Sequence, residues 1–183
     1  MNALFSLYKR FSSVAQRADW LIPTLARFLF AAILLVYFLN AGLVKMEDGI
    51  SNLWMPSAKG YIQIFPKAFD AAGYDAEAMS LYHQVVVSLG TIAEFVLPVL
   101  VVLGLLTRLA ALGMIGFVAV QSLTDIYGHG QAGETGAWFD RFPDHIILDQ
   151  RALWIFLLLV LVIKGAGPLS FDRALQMQTP RPA

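Results

Sequence analysis

The sequence predicts an all-α membrane protein: an antiparallel four-transmembrane-helix bundle with an amphipathic N-terminal helix and interfacial outer-loop helices. Three observations predict it. Of 183 residues only 14% are charged, against about 25% in an ordinary soluble domain. Mean hydropathy is +0.65. The apolar residues are gathered into four runs, each long enough, with modest tilt, to cross about 30 Å of hydrocarbon at 1.5 Å per helical residue. One domain covers residues 1–183, with no separate soluble part. The absence of cysteine excludes disulfide exchange and thiolate-ligated metals or clusters. Zero net charge offers nucleic acid no basic surface.

Each element follows in order. Leu4, Leu7, Tyr8, Phe11 and Val14 repeat at helical spacing, with Lys9, Arg10, Ser13 and Arg17 largely elsewhere. That pattern is an amphipathic helix on the anionic leaflet, either anchoring the first span or docking a partner. The first span, residues 20–44, contains Arg27 and Asn40. A cleavable signal has a short apolar core and a small-residue cleavage site, so this longer run reads as an uncleaved span. The loop over 45–81 is too apolar to be free: Leu53, Trp54, Met55, Tyr61, Ile62, Ile64, Phe65 and Phe69 form short interfacial helices or a lid. Trp54, Tyr61 and Trp138 suit the headgroup zone.

Spans two (82–106) and three (108–127) are joined by Gly104-Leu-Leu-Thr-Arg108. Such a turn forces antiparallel neighbours. Gly104 takes a left-handed C′ position, Thr107 caps the next helix, and Arg108 reaches lipid phosphates or nearby helix carbonyls. Span four, 147–163, has an uninterrupted apolar core, Ala152–Ile163, with Asp149 and Arg151 at its outer edge where a long side chain snorkels to water. Gly165-Ala-Gly-Pro-Leu-Ser170 breaks it. Ser170 then caps a short tail helix carrying Asp172 in its first turn.

Charge sets the orientation. Lys9, Arg10, Arg17, Arg108, Lys164, Arg173 and Arg181 share one side with Asp19 and Asp172. The other side holds Lys45, Lys59, Lys67, Arg141 and Arg151 among Glu47, Asp48, Asp70, Asp75, Glu77, Glu134, Asp140, Asp144 and Asp149. The positive-inside rule places both termini in the cytoplasm.

Glu94 is the one carboxylate between Val85 and Leu106. A charge at mid-bilayer costs roughly 3 kcal/mol or more, which makes it a functional-site candidate. Glu94 precedes Thr107 by as many residues as Gln121 follows Arg108. Both therefore lie about 20 Å deep on adjacent helices, and Gln121 is a natural partner. Arg27 enters the first span about 10 Å deep and can meet Glu94 through its long side chain. Asn40, Lys45 and Asp125 lie nearer the outside. Pro98 frees a backbone carbonyl beside Glu94. Three readings stand together: a structural Arg27–Glu94 pair, a protonated Glu94, or a Glu94 that lines a polar cavity and binds substrate or passes a proton. His83, His129 and His145 all fall on the outer side, near Asp125, Asp144 and Asp149, where a metal ion is the weaker reading than ordinary loop polarity.

Arg27 opening span one, Gly42-Leu-Val-Lys45 closing it, Glu94, the Gly104–Arg108 hairpin and Gly165-Ala-Gly-Pro-Leu-Ser-Phe-Asp172 together resemble the DoxX family of small four-helix membrane proteins, over about residues 24–175. The resemblance implies a multi-pass protein of the bacterial inner membrane tied to respiratory or oxidative-stress redox chemistry. It also singles out Arg27, Lys45, Glu94 and Arg108 as a polar set. On that footing the chain is a subunit or partner of an oxidoreductase rather than a stand-alone enzyme. It binds a quinone-like or small polar ligand near Glu94, with Arg27 neutralising, Gln121 orienting, Lys45 guarding the outer entrance, and Asn40 and Arg108 completing the set. Partners are the bilayer, a soluble or membrane redox protein that supplies electrons, and a second copy of the chain. The alternatives are a small proton-coupled transporter or efflux component, and an assembly scaffold.

Overall fold

The computed structural model describes residues 2–47 and 49–178, all of them helix, turn or loop, with no strand among them. Asp48 and Arg181 of the charge asymmetry lie outside the described residues. Helix α1 spans Asn2–Arg17 and leaves Leu4, Leu7, Phe11 and Val14 exposed. The four long apolar helices are α2 (Leu21–Lys45), α5 (Leu81–Leu103), α6 (Thr107–Gly128) and α7 (Ile146–Lys164). Between α2 and α5 lie two short helices, α3 (Ala58–Ile64) and α4 (Pro66–Ala71), and a tail helix, α8 (Phe171–Gln178), closes the order. The spans agree with the sequence reading to within three residues at every end.

The long helices alternate in direction. Arg27 sits beside Val101, whereas Gly42, toward the other end of α2, sits beside Phe95. Arg108 at the start of α6 reaches Ile163 near the end of α7. The core is one apolar column: Phe30 and Phe38 of α2, Val101 of α5, Met114 and Val118 of α6, Leu158 and Leu161 of α7 are fully buried. Leu89, Leu112, Val120, Leu153 and Phe156 face outward, toward lipid. Between helices in lipid there is no hydrophobic drive, so close van der Waals fit holds the bundle. Gly42 shows the scale: a Cβ there would lie 2.6 Å from the Phe95 ring.

The two ends of the bundle differ. At the hairpin end, Gly104 ends α5 in the left-handed region (φ 69°, ψ 42°), as expected. Thr107, however, is not the cap. Leu106 holds that position, itself left-handed at φ 49°, and its apolar side chain cannot accept a hydrogen bond. Asp172 caps α6 from the tail instead, accepting from Leu106 N (2.8 Å), Thr107 N (2.9 Å) and Thr107 Oγ1 (2.7 Å). Its own amide donates to the Gly104 carbonyl at 2.8 Å. Ser170 caps α8 through Arg173 N.

At the other end, α3 and α4 form a lid. Tyr61 and Phe69 stack at 5.4 Å and bury against Val87. Tyr61 thus packs inside instead of sitting in the headgroup zone; Trp54 and Trp138 stay exposed. Ser57 caps α3 by accepting from Gly60 N, and donates to the Lys45 carbonyl at 2.9 Å, tying the lid to the end of α2.

Candidate functional site

Lys45 is the last residue of α2. Its stem folds back one turn, so that Nζ donates to the Ala41 carbonyl (3.3 Å) and to both oxygens of Glu94 (2.7 and 2.8 Å). Both side chains are buried, at 4% and 7% exposure. An ammonium has three protons, and these contacts engage all three. Two charges taken out of water in this way are tolerable only because they neutralise each other; removing one partner from such a pair costs about 3–5 kcal/mol. Pro98, fully buried in α5, lacks the amide that would otherwise bond the Glu94 carbonyl.

The expected Arg27–Glu94 pair does not form. Arg27 lies at the hairpin end, level with Val101, while α2 and α5 bring Glu94 to the lid end near Gly42. Its guanidinium donates to the carbonyls of Val101 (3.1 Å), Ala166 (3.1 Å), Val102 and Leu169. Val101 and Val102 lie in the last turn of α5, where carbonyls have no partner within the helix. Arg27 is therefore a tie between α2, the end of α5 and the segment after α7. Arg108 has a similar task, donating to the Ile163 carbonyl at 3.3 Å. Neither joins the Glu94 cluster.

Gln121 lines the same cavity as Glu94, but its Nε2 donates to the Tyr37 hydroxyl at 2.8 Å and not to Glu94. Its Oε1 is buried without a hydrogen-bond partner. Asn40 also faces this space. The cavity, about 790 Å³, lies between α2, α5 and α6 beneath the lid. Its walls are mainly apolar, with Val86, Ala93, Leu97, Phe117 and Val120 among them, and Lys45, Glu94, Asn40, Gln121 and Asp125 as the polar set. A space of 300–1,000 Å³, mostly apolar with a few convergent polar groups, is the usual form of a small-molecule site. Phe30, Val101, Met114 and Leu158 belong to the buried core and not to the cavity wall.

A second ion pair, Arg151–Asp125, borders the cavity, and helical period and depth do not reveal it. Arg151 was expected to snorkel outward; instead it is buried and donates to Asp125 Oδ2 (2.5 Å) and Ser122 Oγ (3.1 Å). Both charges sit in wider π-helical turns, Thr124–Gly128 and Ile146–Arg151. The second extends α7 past its apolar core, which turns Arg151 toward α6. Opposite charges near the same end of neighbouring spans were the available signal.

The three histidines are not brought together. His83 bonds Ser80 (2.8 Å), His129 bonds the Gln63 carbonyl of the lid (3.0 Å), and His145 lies 3.6 Å from Asp149. Among the described residues, no group of three or more His, Asp or Glu is placed to hold a metal ion.

The DoxX family model matches residues 22–124, more than half of the chain. The chain belongs to the DoxX family. The match covers all but the outermost residues of the first three spans and so includes Arg27, Lys45, Glu94 and Gln121; Asp125, the fourth span and the tail lie beyond it. No curated protein and no solved structure matches the chain.

Proposed function

We propose that this DoxX-family membrane protein is the ligand-binding membrane subunit or accessory protein of a respiratory or oxidative-stress redox system in the bacterial inner membrane, with both termini in the cytoplasm. The ligand is quinone-like. The observation that carries this reading is the buried Lys45–Glu94 pair set in the wall of a largely apolar 790 Å³ cavity. A quinone needs an apolar slot for its ring and a few donors and acceptors for its oxygens. Tyr37 accepts from Gln121, which leaves its own hydroxyl proton for a ligand carbonyl. Gln121 Oε1, buried and unpartnered, accepts from a ligand hydroxyl such as a quinol presents. Electrons come from a partner protein.

Trp154 lies 5.5 Å from Tyr37 and reports on the cavity. Titration of the purified protein in nanodiscs with a short-chain quinone is expected to quench its fluorescence saturably. Glu94→Gln, which keeps shape but frees a Lys45 proton, is expected to change the affinity by about tenfold. Unchanged affinity in this variant would remove the ion pair from the site.

A further inference from the structure

The geometry points to a lateral portal between α5 and α6, through which an amphiphile with a single apolar chain enters the cavity from the lipid, its headgroup toward Lys45–Glu94 and its chain lying over Gly116. This deepens the proposed function and rests on it.

The lid end is shut. Ile64 is 3.1 Å from the place a Cβ would occupy at Gly90 on α5, and Pro66 is 3.1 Å from the corresponding place at Gly128 on α6, so the lid is seated on both helices. The Ser57–Lys45 and His129–Gln63 bonds hold it there. Toward the hairpin end, Phe30, Val101 and Met114 are packed in the buried core.

Between α5 and α6 the contact changes within one helical turn. At Gly113 the helices touch: a Cβ would lie 3.1 Å from Leu97. At Gly116, one turn toward the lid, nothing lies within 4 Å of that position. Gly116 nevertheless lines the cavity, together with Leu89 and Val120, which are both 61% exposed. Leu89 and Val120 are the most exposed of the large apolar lining residues, ahead of Val44 at 45% and Tyr37 at 41%, and mark the rim of an opening. Its rim is apolar, which an aqueous solute would not use but a hydrocarbon chain would. The tight turn between Leu103 and Thr107 holds the two helices together at the hairpin end.

The test uses two probes on the full chain in nanodiscs: a dimethoxy-methyl-benzoquinone with a decyl chain, and the same ring without one. Gly116→Leu puts a side chain where a Cβ meets nothing within 4 Å, and it improves helix propensity; Val120→Phe is a second plug, read in the same way. Both plugged positions line the cavity, so the expected result is differential: each plug weakens the decyl probe about tenfold more than it weakens the chainless probe. Leu112→Phe, exposed on α6 and away from the cavity, changes neither. Plugs that leave the decyl probe unaffected, or weaken both probes equally, overturn the portal. A wild-type protein that binds the chainless probe but not the decyl one overturns the portal and leaves the ligand reading standing. Failure to bind either probe overturns both.

Discussion

The two ends of this bundle partner their charges in opposite ways, with half-buried groups at one end and mostly buried ones at the other. At the hairpin end, Arg27 and Asp172 bond to the main chain: the guanidinium to carbonyls that end α5 and follow α7, the carboxylate to amides that begin α6. At the lid end, side chain meets side chain, Lys45 with Glu94 and Arg151 with Asp125, around open space. A main-chain partner is fixed by the helix that carries it. A side-chain partner can be drawn away by something that enters. The first end is built to hold, and the second can respond to a ligand.

The sharpest way to break this contrast is at Lys45. Lys45→Met leaves Glu94 buried without its partner and is expected to destabilise the protein by about 3–5 kcal/mol. Lys45→Met with Glu94→Leu removes both charges and is expected to recover most of that loss. Thermal unfolding in nanodiscs checks it. A single variant as stable as wild type would show that Glu94 is carried as the neutral acid and does not depend on lysine.

A smaller effect is expected at the clasp. Burial alone would raise the Asp172 carboxyl, but the bonds from Thr107 and Leu106 and the Arg27 charge outweigh it and hold the group below its ordinary value. A carboxyl depressed in the folded state stabilises above its unfolded pKa of about 4, and that stabilisation is lost as pH falls through the folded value. Asp172→Ala is expected to cost about 1–2 kcal/mol, as lost caps do. It should also flatten the acid side of the stability profile. An unchanged acid limb would mean that the clasp is not ionic.

The fold was legible because a bilayer leaves few options: four apolar runs of sufficient length can hardly be anything else. The hairpin was legible in Gly104, and Glu94 was legible as a misfit in hydrocarbon. Its partner was not. Depth counting treats helices as straight and parallel, and it put Arg27 within reach while leaving Lys45 at the outer entrance. The close approach at Gly42 and the folded-back Lys45 stem reversed that order. Asp172 was read as a residue of its own helix because a cap supplied across 65 residues of chain leaves no local pattern. Arg151 was read as surface because the π-helical turn that carries it inward has no hydrophobic period of its own.

The most direct test of the ligand cavity is purification from native membranes in mild detergent, followed by mass spectrometry of the extracted lipids. The account predicts a prenyl quinone retained at about one per chain and lost from the folded Lys45→Met, Glu94→Leu protein. Equal amounts in both proteins, or phospholipid alone in each, would contradict it.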